Sequence, residues 1–171
     1  PAVETPAAEP GVLFSARAAE QVVLVSQIKD YLEHGDPASA PLALVLVDID
    51  GLRKLNEAHG MATGDVVLRA VKQFLTTGLR DTDTLTQLNG DCFALTLRKA
   101  DLDHAVQGAE RVRNAIGLCK LRVNENKIHF TISSGLAEAG PGDDGEVLYL
   151  RCNLALQAAK AAGRNCTFYH D

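Results

Sequence analysis

The chain has 171 residues, 46% of them hydrophobic, so it can bury one good core and is best interpreted as a single domain. Its formal net charge of −5 argues against nonspecific binding to nucleic acid or to an anionic membrane. Its four cysteines show no C-x-x-C pairing, which favours free thiols in a reducing cytosol. We therefore expect a cytoplasmic domain, with no nucleic-acid partner, cut from a longer polypeptide.

The first part of the chain predicts a linker followed by a helix. Residues 1–12 hold three of the six prolines among Ala and Glu, a composition typical of a semi-extended linker. Residues 13–36 then show helical spacing of apolar positions and end at a glycine that precedes Asp-Pro. The expected apolar stripe consists of Val22, Leu24, Val25, Ile28 and Leu32.

The next segment predicts a buried strand and two helices. Leu42–Ile49 reads LALVLVDI, an almost unbroken apolar run that suits a central strand covered on both faces. A short helix is expected over Leu52–Ala58, followed by a glycine loop at 60–64. A longer helix is expected from Asp65 to about Leu79, with the aspartate at its N-terminus.

A β-hairpin is the strongest local prediction. Two β-favouring runs, Thr84–Leu88 and Cys92–Leu97, flank Asn89-Gly90-Asp91. Asn-Gly between such runs favours a tight turn, because a type I′ turn requires positive φ at both central residues. The hairpin therefore presents a carboxylate at its tip.

The rest of the chain predicts a helix over 102–116, a strand over 128–136, a helix over 146–162 and a last strand over 166–169. A strand, helix, hairpin, helix, strand order is typical of the split βαβ arrangement of ferredoxin-like folds. We predict an α+β domain, with a central, mostly antiparallel sheet flanked by helices.

Several spaced motifs resemble those of GGDEF domains, the diguanylate cyclase family. They are Asp48-Ile49-Asp50, Asn56, Gly64-Asp65, Arg80-x-x-Asp83, the turn Asn89-Gly90-Asp91-Cys92-Phe93, and Ala159-Lys160-Ala161-Ala162-Gly163-Arg164-Asn165. The resemblance covers residues 42–169. It implies a nucleotidyl-cyclase-type fold for residues 37–171 and a helix at 13–36 that connects to an upstream domain.

The resemblance also implies a GTP site with its metal. It assigns the metal positions Asp48, Ile49 (by its carbonyl) and Asp91, the guanine positions Asn56 and Asp65, and the phosphate positions Arg53, Lys160 and Arg164. Such a site suits Mg²⁺, which prefers hard oxygen ligands and the oxygens of phosphates. No cofactor is required otherwise, and Mg²⁺ is expected only if GTP binds.

The sequence departs from the family at the reaction centre. Cys92 stands where the family has its essential glutamate, and a thiol is mostly neutral at pH 7 and a poor Mg²⁺ ligand. Asn89, Gln87 and Asn153 replace a glycine, an arginine and an acid of the family pattern. Losing the glutamate alone is expected to lower the rate by about 10²-fold or more. We therefore expect no catalytic residues among positions 89–93.

The motif Arg80-x-x-Asp83 keeps the family pattern for binding the product, cyclic di-GMP, and Arg111 occupies the position of a third contributor. Arginine fits the O6/N7 edge of guanine, while a carboxylate accepts from N1–H and N2–H. The main hypothesis is a catalytically inactive GGDEF domain that acts as a cyclic di-GMP receptor through Arg80, Asp83 and Arg111.

Other interpretations remain open at this point. The chain could be a GTP-binding regulatory domain, a weakly active diguanylate cyclase, or a dimerising remnant that binds no nucleotide. An Arg-x-x-Asp pair can also be a salt bridge at a helix end, and Asp48 can cap the following helix. A homodimer in which a second chain completes the cyclic di-GMP site is compatible with the sequence.

Overall fold

A computed structural model describes residues 19–34, 41–88 and 90–170. The predicted linker at 1–12 and the residue Asn89 lie outside this range, so those predictions stay untested. The described elements are α1 (Ala19–His34), β1 (Leu42–Ile49), α2 (Leu52–His59), α3 (Met61–Thr77), β2 (Thr84–Gln87), β3 (Cys92–Arg98), α4 (Leu102–Leu118), β4 (Leu121–Val123), β5 (Asn126–Ile128), β6 (Ile132–Glu138), α5 (Gly145–Ala161) and β7 (Thr167–His170).

Five strands form one sheet in the order β2-β3-β1-β6-β7, and β4 and β5 form a separate hairpin. β1 pairs antiparallel with β3 on one side and with β6 on the other. β7 joins β6 in parallel. The sheet is thus mostly antiparallel, as predicted, with β1 at its centre.

The alternation of side chains along β1 builds two cores, which explains its unbroken apolar run. Ala43, Val45 and Val47 point to the core shared with α3 and α4. Leu44 and Leu46 point to the opposite core, shared with α1 and α5. The last residues of β1 are therefore held by packing on both faces of the sheet and by the neighbouring strands β3 and β6.

Helix α1 confirms the predicted helix over its described residues, and its role as a connection to an upstream domain stays a prediction. Leu24, Val25 and Ile28 are buried, whereas Val22 is 56% exposed, so its place in the apolar stripe is wrong. Leu24 and Ile28 belong to the core cluster that includes residues of α5, and Leu32 is partly buried against it. None of the described helices is long and apolar enough to cross a membrane.

The predicted glycine loop at 60–64 is wrong, because α3 already begins at Met61. Gly60, with φ of 87°, makes the break between α2 and α3. Gly64 lies inside the helix, where a Cβ atom would approach Asn56 Oδ1 to 1.8 Å. Gly64 therefore allows α2 and α3 to approach closely, and Asp65 is the fifth residue of α3 instead of its start.

The single strand predicted over 128–136 is also wrong. The chain forms the β4–β5 hairpin first, and β6 starts only at Ile132. Asn124, with φ of 56°, supplies the left-handed turn residue between the two short strands. Leu121 and Val123 of this hairpin pack on the α3/α4 core.

The packing of α5 on β6 makes Gly135 sensitive to substitution. A Cβ atom there would lie 2.2 Å from Leu156 N and 2.5 Å from Cys152 O, and both of these are backbone atoms. We expect Gly135→Ala to lower the free energy of unfolding by about 1–3 kcal/mol or more, measured by urea denaturation.

Gly117→Ala is the matched control, because a Cβ atom at this α4 position meets no atom within 4 Å. Alanine is the better helix former by about 0.5–1 kcal/mol, so this variant is expected to be at least as stable as the parent. Equal stability of the parent and Gly135→Ala would show that α5 does not pack this closely on β6.

Candidate functional site

The end of β1 and the tip of the β2–β3 hairpin meet at one corner of the sheet. Asp48 lies opposite Cys92 in the β1–β3 register. The backbone N–H of Ile49 donates to the carbonyl of Asp91 over 3.2 Å. Gly90 has φ of 58°, as expected for the hairpin turn, and Phe93 is fully buried in the core beneath it.

The Asp48 carboxylate is paired with a lysine from the last helix. Lys160 Nζ lies 2.8 Å from Asp48 Oδ2, and the two side chains are only 26% and 13% exposed. Burial raises the pKa of Asp48, although the ion pair with Lys160 opposes this effect. The N-terminal cap of α2 is Gly51, so Asp48 does not serve as a helix cap.

Cys92 is a neutral thiol in this corner. Burial, together with the nearby Asp48 carboxylate, raises the pKa of Cys92 to about 12. A thiol in this state is neither a base nor a ligand for a hard cation at neutral pH.

The three metal positions do not fit Mg²⁺ as they stand. The Asp48 carboxylate is paired with Lys160, which leaves the Ile49 carbonyl and the Asp91 carboxylate of the three. The neighbouring Cys92 is a neutral thiol and adds no negative charge. Within the described ranges, the one group of three potential ligand side chains that lie close together is Asp30, Glu33 and His34, exposed on α1. That group is far from the GTP motifs in sequence and shares no residue with them.

A cleft of about 430 Å³ lies beside this corner. It brings together four of the predicted positions, which are Arg53, Asn56, Gly90 and Asp91. The guanidinium of Arg53 is exposed and bonds to Glu57 over 3.1 Å, one turn further along α2. Gly90 and Asp91, at the hairpin tip, form the wall of the cleft opposite α2.

Asn56 has an unusual environment for an amide. Its Oδ1 atom is buried and has no hydrogen-bond partner among the described residues. The side chain lies against the backbone of α3 at Gly64, which fixes its position next to the cleft. A buried acceptor without a partner costs free energy unless a ligand or water supplies a donor.

The remaining predicted GTP positions do not line this cleft. Asp65 is exposed on α3, and Lys160 is engaged with Asp48. Arg164 is exposed after α5, with φ of 65°. The cleft thus joins the α2 and hairpin parts of the predicted site, whereas Asp65 and Arg164 lie outside it. Lys160 of α5 reaches the same corner through its ion pair with Asp48.

Asp50, the second acid of the Asp-x-Asp motif, has a role that the sequence analysis missed. Its carboxylate accepts from Thr131 Oγ1 and Ser133 Oγ, both over 2.7 Å, and from the backbone N–H of Asn165 over 3.0 Å. Asn165 in turn accepts from Arg113 of α4. Asp50 therefore connects the end of β1 with β6, α4 and the segment after α5. Thr131 and Ser133 lie 81 and 83 residues away from Asp50, so no local sequence signal pointed to this role.

The predicted product-binding residues lie on the side of the domain where α3 ends. Asp83 accepts from the backbone N–H of Arg80 over 3.0 Å and from that of Arg98 over 3.2 Å. The carboxylate thereby fixes the turn at 80–83 to the end of β3. The guanidinium groups of Arg80 and Arg111 are exposed, and neither makes an ion pair with another described residue.

Arg111 and the segment before Arg80 are close in space. Arg111 Nη2 lies 3.5 Å from the position of a Cβ atom on Gly78, two residues before Arg80. Both Gly78 and Arg111 also line a groove of about 620 Å³ between α3 and α4. This volume is in the usual range for small-molecule sites.

The burial of the Cys92 thiol leads to a prediction about its reactivity. Because the thiolate is the reactive form, we expect iodoacetamide at pH 8.5 to modify Cys92 on the order of 10³-fold more slowly than an ordinary thiol. The rate should rise about tenfold per pH unit, since the pKa of Cys92 lies well above this pH. Peptide mass spectrometry gives the rate at each cysteine.

Cys119, half-buried after α4, serves as the internal comparison. In 8 M urea, all four cysteines should react alike. A native rate at Cys92 that equals the rate at Cys119 would mean that Cys92 is not buried as described.

The chain is similar in sequence to known proteins. A family model described as diguanylate cyclase, GGDEF domain, matches residues 19–166. Diguanylate cyclase DosC of Escherichia coli (strain K12) is 31% identical over 138 residues, which are 80% of this chain and 30% of that protein. Response regulator PleD of Caulobacter vibrioides (strain NA1000 / CB15N) is 34% identical over 145 residues, 83% and 31% of the two chains. The chain thus spans about a third of these relatives.

Solved structures show the same fold. The GGDEF domain of DgcB from Caulobacter crescentus, in complex with c-di-GMP, has a TM-score of 0.81 at 23% identity, covering 87% of this chain and 89% of that chain. The active GGEEF domain of a diguanylate cyclase from Vibrio cholerae has a TM-score of 0.80 at 23% identity, covering 88% and 96%. The α+β fold prediction is confirmed, and because the family model matches most of its length, this chain belongs to the GGDEF domain family of diguanylate cyclases.

Proposed function

We propose that this chain is a catalytically inactive GGDEF domain that acts as a cyclic di-GMP receptor through Arg80, Asp83 and Arg111. The observation that carries the proposal is a contrast between two surfaces. At the corner of Asp48 and Cys92, the Asp48 carboxylate is paired with Lys160. The Arg80/Arg111 surface instead presents two guanidinium groups without an ion-pair partner among the described residues.

Inactivity follows from the charges around β1. Forming a phosphodiester from GTP requires activation of the attacking oxygen and compensation of negative charge on the leaving group, which metal ions usually supply. The Asp48–Lys160 ion pair removes one carboxylate from that task, and the neutral thiol of Cys92 removes a second. Asp91 alone offers too few oxygen ligands for Mg²⁺.

Binding of the dinucleotide is supported by a fixed backbone beneath exposed side chains. The two hydrogen bonds that Asp83 accepts hold the 80–83 turn against β3, so the Arg80 side chain projects from an ordered segment. Each carboxylate oxygen still has a lone pair for N1–H or N2–H of guanine. Arg80 and Arg111 are the donors suited to the O6/N7 edge or to a phosphate.

The groove between α3 and α4 supports the same assignment. Its volume of about 620 Å³ can accept a purine, and Phe74 in its wall offers a partly buried aromatic surface. DgcB of Caulobacter crescentus, a fold neighbour, was solved in complex with c-di-GMP. For the present chain, the dinucleotide is a proposal that rests on its own residues.

Signal output would pass through α1. This helix packs on α5 so closely that a Cβ atom on Gly145 would lie 2.4 Å from the Val25 carbonyl oxygen. Because the two helices are in such close contact, a movement of α5 would also move α1 and the residues that precede it. A second copy of the chain could complete the dinucleotide site, since the guanidinium groups face solvent.

GTP binding without turnover is the second candidate, and one observation favours it. The unpartnered Asn56 Oδ1 lies at the 430 Å³ cleft, where it could accept from a guanine N–H. Phosphate binding there is weakened in two ways. Lys160 is already paired with Asp48, and the residues around Asp48 do not fit Mg²⁺ as they stand. We therefore place cyclic di-GMP ahead of GTP.

Isothermal titration calorimetry tests the receptor proposal. We expect cyclic di-GMP to bind the parent protein, and Arg80→Ala to weaken binding at least about tenfold, because a charged hydrogen bond contributes about 1.5–3 kcal/mol. Lys54→Ala, which removes an exposed cation of α2, should bind as the parent does.

Undetectable binding of cyclic di-GMP, or equal affinity of the parent and Arg80→Ala, would rule out the receptor proposal. GTP with Mg²⁺ is titrated in parallel. Binding of GTP without binding of the dinucleotide would replace the receptor proposal with the GTP-binding one.

A cyclase assay tests the inactivity. We expect the parent to form product from GTP and Mg²⁺ at least about 10²-fold more slowly than an active GGDEF domain measured alongside. Cys92→Glu restores the missing carboxylate and should raise any residual rate, whereas Cys92→Gln, of equal size and no charge, should not. A parent rate comparable to the active domain would show that the chain is a working cyclase.

A further inference from the structure

A second, much smaller cavity lies inside the core, between the sheet and helices α3 and α4. It has a volume of about 70 Å³, and Val45, Val47 and Ile132 of the sheet line one side of it. The other side consists of small residues of α4, among them Ala105 and Gly108. A Cβ atom on Gly108 would meet no atom within 4 Å, so there is open space at this position.

One hydroxyl group in this cavity has no partner. Ser134 is 0% exposed and lines the cavity, and its Oγ atom makes no hydrogen bond within the described residues. Its neighbour Ser133 lies on the opposite face of the sheet and donates to Asp50 over 2.7 Å. The sheet therefore satisfies one of two adjacent serines and leaves the other directed at an apolar space, which costs free energy.

The cavity opens at Arg111. Of its lining residues, only Gly78 and Arg111 are exposed, and they mark the side that reaches solvent. A small molecule could enter there without unfolding the core.

The chemistry of the lining restricts the occupant. A buried water usually makes about three hydrogen bonds, and Ser134 Oγ is the one buried side-chain atom without a partner among the lining residues, since the Arg111 guanidinium lies at the exposed opening. A charged group would be desolvated among valine, leucine and isoleucine side chains. The volume is about half that of a 150 Å³ apolar cavity that holds benzene, so roughly three to five non-hydrogen atoms fit.

We propose that this cavity is a binding site for a small, uncharged aliphatic molecule with one hydroxyl group, which pairs with Ser134 Oγ while its alkyl part contacts Val45, Val47 and Ile132. The occupant replaces the missing hydrogen bond and fills the space that Gly108 leaves. The site is separate from the GTP cleft and lies beneath Arg111 of the dinucleotide surface.

Methyl NMR of the whole chain tests the site with 1-propanol and xenon as probes. We expect saturable shifts of the Val45, Val47 and Ile132 methyl signals with millimolar 1-propanol. Ser134→Ala should weaken 1-propanol binding about fivefold, the value of a typical neutral hydrogen bond, and leave xenon binding within about twofold. Ser133→Ala, on the other face, should bind both probes as the parent does.

Two variants that fill the cavity complete the test. Ser134→Val fills it from the sheet and Gly108→Leu from α4, so both should abolish the binding of both probes. Shifts that stay linear in 1-propanol, or equal binding by the parent and either filled variant, would overturn the proposal. The second variant keeps the test decisive if one of them does not fold.

Coupling to the dinucleotide is a separate step that rests on the proposed function. Because Arg111 lies at the opening, an occupied cavity should change the affinity for cyclic di-GMP about fivefold, and the dinucleotide should change the affinity for 1-propanol by the same factor. Equal affinities would overturn the coupling. If cyclic di-GMP does not bind at all, the receptor proposal fails while the NMR result still decides the cavity.

Discussion

The burial of β1 on both faces of the sheet is the constraint on which the rest of this domain depends. Alternate residues of this strand belong to two cores, so apolar packing alone fixes its direction and register. The strand then delivers Asp48 and Asp50 to one corner, where water is largely excluded. A carboxylate in such a position requires donors or a cation, and the two aspartates obtain them in different ways.

Asp50 obtains three neutral donors, from Thr131, Ser133 and the backbone of Asn165. These contacts are structural, because they join strands and a helix that are distant in sequence. Asp48 obtains a cation, Lys160, from the last helix. In a domain with a metal at this corner, a lysine and a metal ion would compete for the same carboxylate. Cys92, a neutral thiol, adds no carboxylate that would favour a metal ion over this lysine.

The fold was predictable from the sequence where local pattern and burial agree. The strand Leu42–Ile49 and the two strands that flank the predicted turn were confirmed to within a residue, since apolar and β-favouring runs leave strong local signals. Gly64 was misjudged as a loop residue, because its reason for being glycine is the Asn56 side chain of another helix. The β4–β5 hairpin was missed because strands of three residues leave too short a pattern.

The candidate site was predictable in its residue types but not in its pairings. The motif spacing identified Asp48, Lys160 and Asp83, yet it could not show that the first two bind each other or that Asp83 holds the turn of Arg80. The contact of Asp83 with the backbone of Arg80 is local, but an Arg-x-x-Asp spacing is equally compatible with a side-chain salt bridge. The Asp48–Lys160 pair joins residues more than a hundred positions apart, so it depends on tertiary geometry that no local pattern encodes. The same holds for the cavity at Ser134, which arises only when α4 is placed over the sheet.

The contrast between the two surfaces has a physical basis in desolvation. Catalysis at the β1 corner needs several charges held close together with little water, an arrangement that is costly unless every charge has its partner. In the present chain Cys92 is neutral, and Asp48 is paired with Lys160. The recognition proposed for Arg80 and Arg111 needs only exposed donors on an ordered backbone, and water satisfies these donors when no ligand is present. The exposed surface can therefore keep its chemistry after the buried one has changed, because its charges do not depend on one another for solvation.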